Sequence, residues 1–124
     1  MPLSRIDSLT FLGLDASIVH VEVDTQQVDK GNLVIVGLPD AAVRESKERV
    51  LAAVKNSGFQ VQNLYITVNL APGGVRKEGA YYDLPIALGI LCAVEQLLDS
   101  AYSNYMIAGE LGLGGETRPI PGVL

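Results

Sequence analysis

The sequence predicts an α+β domain, a mixed sheet carrying two helices. Three observations predict it. Ile18–Asp24 and Leu64–Leu70 alternate apolar and polar residues, the period of a half-buried strand. Residues 40–57 place apolar side chains at helical spacing behind a Pro-Asp start. Residues 83–98 are apolar almost all round, which marks a helix covered on more than one side.

In chain order, the first strand sets Val19, Val21 and Val23 on one face, and Ile18, His20 and Glu22 on the other. Thr25–Asn32 is polar and ends in Gly-Asn, a turn signal. Leu33–Val36 then reads as a second strand, expected to lie antiparallel to the first. Gly37-Leu38-Pro39 stops it, and Asp40 suits the N-cap of a helix whose dipole favours its charge. Val43, Val50 and Val54, flanked by Ala42, Ser46 and Ala53, form the apolar face. Arg44, Glu45, Glu48, Arg49 and Lys55 form the other, with Glu45 and Arg49 an i,i+4 pair. Gly58 is the expected stop.

In the third strand Leu64, Ile66, Val68 and Leu70 point inward, while Tyr65, Thr67 and Asn69 point outward. After the loop Ala71–Tyr82, Asp83 is placed as the cap of the second helix, with Pro85 in its first turn. Gly89 weakens that helix by about 1 kcal/mol against alanine, so it is expected to permit close backbone packing. Tyr105–Leu113 and Thr117–Ile120 read as two more strands, joined by a hairpin through Gly114-Gly115.

A chain of 124 residues with 48% hydrophobic residues is large enough for one core and too small for two. No apolar run is long enough to span a membrane, and residues 1–5 lack the apolar stretch of a signal peptide. Cys92 is the single cysteine, which excludes a disulfide framework; together these features place the domain in the cytoplasm. Nine basic against fourteen acidic residues give a net charge of −5, the wrong sign for a domain that grips nucleic acid by itself. The mean hydropathy of +0.29 is high for so small a domain and implies that part of its surface is covered.

His20 is the sole histidine, which excludes a histidine-based triad or a multi-histidine metal site; on the polar face of a strand it reads as a surface residue. Glu78 and Asp83 are the only carboxylates near one loop that could form an acid–base pair, against the plainer reading of a loop acid and a helix cap. Ala71–Gly79, with Gly73-Gly74, Arg76 and Lys77, has the composition of a phosphate loop. It lacks both the G-x-x-x-x-G-K-[ST] and G-x-G-x-x-G orders, so a structural or partner-binding loop is the favoured reading.

Val34–Asp40, Arg44-Glu45-Ser46 and Lys55–Phe59 resemble the N-terminal domain of magnesium-chelatase-like AAA+ ATPases of the ComM/YifB family. Thr67–Pro72, Lys77-Glu78-Gly79, Asp83–Ala87 and Gly109-Glu110-Leu111 continue the resemblance, which spans residues 8–124. It implies a fold like the Lon proteolytic domain, shared with GHMP kinases and a ribosomal-protein domain and containing a left-handed crossover. In Lon-type peptidases a serine follows a Lys-Asp-Gly-Pro block, and a lysine follows a Pro-Ile-Gly-Gly turn. Here those slots hold Tyr81 and Leu124, and a phenol beside an alkyl chain cannot act as a serine–lysine dyad.

The resemblance therefore implies a non-catalytic accessory domain with no cofactor of its own. ATP and magnesium are expected in a separate ATPase module of the parent protein, a ring-forming motor acting on branched DNA in natural transformation. Its expected partners are that module and neighbouring subunits of the ring, with DNA reached only through the full-length protein. Arg76, Lys77, Tyr81 and Tyr82 are the expected contact residues, because arginine and tyrosine are favoured at interface centres. The alternatives are a Lon-like peptidase with a displaced dyad, or a nucleotide-binding domain using Gly73-Gly74.

Overall fold

A computed structural model describes residues 3–12, 15–37, 39–73, 77, 81–94 and 104–118. Strands β1 (Leu3–Leu12) and β2 (Asp15–Gln27) are followed by β3 (Asn32–Val36), α1 (Ala41–Asn56) and β4 (Leu64–Ala71). Then come α2 (Asp83–Ala93), β5 (Glu110–Leu111) and β6 (Thr117–Arg118). The main sheet has four strands in the order β1-β2-β4-β3, and β5 and β6 form a separate two-stranded sheet. The domain is α+β, with a mixed sheet and two helices, as the sequence predicts.

The alternating segments behave as their pattern requires. Val19, Val21 and Val23 of β2 and Ile66, Val68 and Leu70 of β4 are buried in one core with Val43, Val50 and Val54 of α1. Asp40 caps α1, accepting from the Val43 backbone N–H at 2.7 Å. Gly58 follows the helix with φ +98°, a conformation that glycine adopts without strain, and its N–H reaches the Lys55 carbonyl at 3.1 Å.

Four features differ from the sequence reading. First, β3 pairs with β4 in parallel and not with β2. Helix α1 carries the chain from β3 across to β4, and β2 lies antiparallel to both β1 and β4. Second, β1 is a ten-residue strand that hydrophobic alternation does not reveal. Its core-facing positions Ser4, Ser8 and Thr10 are small and polar, with Ile6 the only large apolar residue beside them among the described side chains. Third, β2 runs on through Gln27, into the segment expected to be a turn, because Thr25–Gln27 still pair with Leu64–Ile66. Fourth, the first strand of the C-terminal hairpin is only Glu110–Leu111, where Tyr105–Leu113 was expected, while Thr117 and Arg118 are strand as expected. Residues 95–98 and 119–120, expected to be helix and strand, lie outside the described residues.

Small residues let α2 sit close to the sheet. Ser4 Oγ donates to the Gly89 carbonyl at 2.6 Å, and a Cβ on Gly89 would lie 2.6 Å from Val23 Cγ2. Gly89 thus has the packing role its place in an apolar helix predicts.

Candidate functional site

The start of α2 places a carboxylate in the core. Asp83 is fully buried and is not the helix cap that the sequence suggests. Tyr82 holds the N-cap position, and Asp83, the first helical residue, turns its carboxylate toward α1. Oδ1 accepts from Ser46 Oγ at 2.5 Å and from Arg49 Nη2 at 3.2 Å. Oδ2 accepts from Arg49 Nε at 2.6 Å and from the Leu111 backbone N–H at 3.1 Å. A carboxylate has about four lone-pair sites, and these four donors fill them. The Asp83 hydrogen bond and charge hold the Arg49 guanidinium above its ordinary pKa. This group joins α1, α2 and β5, and its bonding capacity is taken up by that task.

The sequence reading leaves Arg49 on the solvent face of α1. It bonds Asp83 because its side chain crosses from the flank of the helix to the α2 terminus, beside Ser46 on the adjoining face. A serine on an apolar face with an arginine three residues later was the available signal.

The loop before α2 was expected to present a contact surface. Lys77 is buried, and Nζ donates to the Pro72 carbonyl. Its own backbone carbonyl accepts from Asp40 N–H at 3.0 Å, within a bridge to Pro39. Burial pushes the Lys77 amine below its ordinary pKa. Tyr82 is also buried, donating from its hydroxyl to the Leu9 carbonyl at 2.9 Å, and desolvation raises its phenol above the ordinary value. Lys77 and Tyr82 are therefore enclosed by their own domain and offer no surface for a partner to touch. Their polar ends are bonded to main-chain carbonyls within the loop and on β1.

Tyr81 is half-buried, its ring 4.8 Å from that of Tyr82, and its carbonyl accepts from Gly109 N–H at 2.8 Å. Gly73 is exposed. Gly74, Arg76, Glu78 and Leu124 lie outside the described residues, so the Glu78–Asp83 pair and the Leu124 slot are not placed.

On the open face of the sheet, His20 Nδ1 lies 2.7 Å from Asp7 Oδ1, and Asn69 donates to Glu22 at 2.8 Å. The expected surface histidine is thus a half-exposed member of a cross-strand pair. Among the described residues no cluster of three histidine, cysteine or acidic side chains could hold a metal ion. None of the described helices is long and apolar enough to cross a membrane.

Comparison with known proteins gives a consistent family. The family model described as subunit ChlI of Mg-chelatase matches residues 21–124. The "Uncharacterized protein YifB" of Escherichia coli strain K12 is 42% identical over all of this chain, which covers 24% of that protein. The YifB protein of Salmonella typhimurium is 41% identical and the "Competence protein ComM" of Haemophilus influenzae 40%, each over the whole chain and 24% of the relative. The chain therefore spans about a quarter of the length of the curated relatives it matches.

Proposed function

Because the chain belongs to the family of the Mg-chelatase subunit ChlI, with YifB and ComM proteins among its relatives, we propose that it is the non-catalytic N-terminal accessory domain of a longer AAA+ ATPase. The parent protein is a ring-forming motor that acts on branched DNA, with ATP and magnesium held in its ATPase module. The observation that carries this reading is the extent of the match. Relatives named YifB and ComM align with the whole of this chain, yet the alignment occupies 24% of their length.

The interior chemistry supports the accessory role. The most buried carboxylate among the described residues, Asp83, has four donors and holds three elements together. The serine slot of the Lon-type pattern holds Tyr81, whose phenol has no alkyl hydroxyl's reactivity toward an acyl group. A Lon-like ancestry is part of the proposal, supported by the parallel β3-α1-β4 unit. Contact with the ATPase module is assigned to Arg76 and Tyr81, since Lys77 and Tyr82 are enclosed.

Two assays of the domain test this reading. No hydrolysis of casein or short peptides is expected, and no saturable ATP binding. Peptide turnover, or ATP binding tighter than about 100 µM (roughly −5.5 kcal/mol), would overturn it.

A further inference from the structure

Helix α2 is apolar around its circumference, and its residues are not equally covered. Ile86, Ile90 and Ala93 are buried in the main core. Leu84, Leu88 and Leu91 form a second stripe at i, i+4 and i+7, and all three remain partly exposed. That spacing presents side chains in a row along one helix face, the pattern by which apolar segments are bound. The stripe lines a groove of about 120 Å³ whose other walls include Phe59, after α1, and Leu111 of β5. A pocket of about 150 Å³ takes a benzene-sized group, so this one has room for roughly one apolar side chain.

The groove is held open by fixed parts. Asn56 Nδ2 donates to the Leu113 carbonyl at 2.8 Å, and Leu111 N–H donates to Asp83, so the β5–β6 hairpin is anchored to both helices. Gly115, in the turn of that hairpin, belongs to the groove wall. Three residues further on, Arg118 is within about 11 Å of it along the chain. The polypeptide thus leaves its last described strand beside the groove.

We propose that an apolar segment of the same polypeptide, C-terminal to Leu124 in the full-length protein, seats a side chain between Leu84, Leu88 and Leu91. Two observations favour this occupant over a second copy or a separate partner. The relatives continue for about three times the length of this chain outside the matched region. The last described strand also ends within about 11 Å of the groove wall, and tethering at short range gives a segment a millimolar effective concentration that a separate molecule seldom reaches. The covered groove would account for the high mean hydropathy of the domain. The proposal goes beyond the motor reading and uses neither ATP nor DNA in its test.

The test uses the full-length protein, with Leu88→Cys and Leu91→Cys compared with Leu113→Cys on the exposed hairpin tip. Each is treated with a maleimide at a protein concentration low enough to dissociate separate chains, and again at high concentration. The expected result is labelling of the α2 thiols at least ten-fold slower than at position 113, at both concentrations. Rapid labelling at low concentration overturns the proposal, whether concentration then restores protection (a second copy) or does not (an open groove). Hydroxyl-radical footprinting of the unsubstituted protein reads the same leucines without any variant. Oxidation of Leu88 and Leu91 as fast as that of Leu113 contradicts the proposal there too.

Discussion

Arg49 and Asp83 meet through two nitrogens of one guanidinium and both oxygens of one carboxylate, at 2.6 and 3.2 Å, across the junction of α1 and α2. Asp83 is fully buried, while Arg49 keeps about a quarter of its side chain in solvent. Removing one partner of such a pair leaves the other uncompensated. Asp83→Asn is expected to lower the unfolding free energy by about 3 kcal/mol, measured by urea denaturation followed by circular dichroism. The double variant Asp83→Leu/Arg49→Met should lose less than Asp83→Asn does. A double variant that loses more would mean that the pair contributes net stability beyond relieving its own desolvation.

Tyr82 and Lys77 give the domain two opposed responses to alkaline pH. Desolvation raises the folded phenol above its ordinary 10.0, so above that pH the unfolded chain loses a proton that the folded chain keeps, and stability falls. Burial lowers the folded Lys77 amine below its ordinary 10.5, so the unfolded chain binds more protons in the interval below that value, and stability rises with pH there. Tyr82→Phe should abolish the alkaline fall and cost about 1 kcal/mol for the lost bond to Leu9. Lys77→Met should abolish the rise. Urea midpoints taken from neutral pH to pH ~11 separate the two effects.

Gly89→Ala places a Cβ 2.6 Å from Val23 Cγ2. Overpacking of this kind costs about 1–3 kcal/mol, against about 1 kcal/mol gained in helix propensity. A net loss is expected, reduced when Val23→Ala is added. Unchanged thermal stability in the single variant would show that α2 does not sit this close to β2.

Ser8 Oγ is the one buried side-chain polar atom among the described residues without a hydrogen-bond partner. Burying an unbonded hydroxyl costs about 1–3 kcal/mol. Ser8→Ala is therefore expected to stabilise the domain by about 1 kcal/mol, raising the thermal midpoint by several degrees. A lower midpoint would mean that the hydroxyl is bonded in solution.

What the sequence reveals depends on which side of each element faces the core. Strands β2 and β4 and helix α1 follow from periodicity because valine, isoleucine and leucine mark their buried faces. Strand β1 escapes that reading because α2 approaches it closely enough to require Ser4, Ser8 and Thr10 on its inner face. The pairing of β3 escapes for a different reason. Alternation reports a buried face but not a neighbour, and the helix between β3 and β4 was the only cue to a parallel pair. At the candidate site the type of residue was legible and its direction was not. Asp83 and Tyr82 stand where a cap and a contact would be expected, yet both turn inward. Tertiary bonding to Ser46, Arg49 and Leu9 decides that direction, and no local pattern encodes it.

The proposed role, an accessory domain without chemistry of its own in a longer ATPase, is tested most directly by comparing ATP hydrolysis by the full-length protein with that of a variant lacking residues 1–124, each with and without branched DNA. If the role is as proposed, the truncated protein still hydrolyses ATP but loses most of the stimulation by branched DNA. Equal stimulation in both proteins, or complete loss of basal hydrolysis in a truncated protein that remains folded, would contradict it.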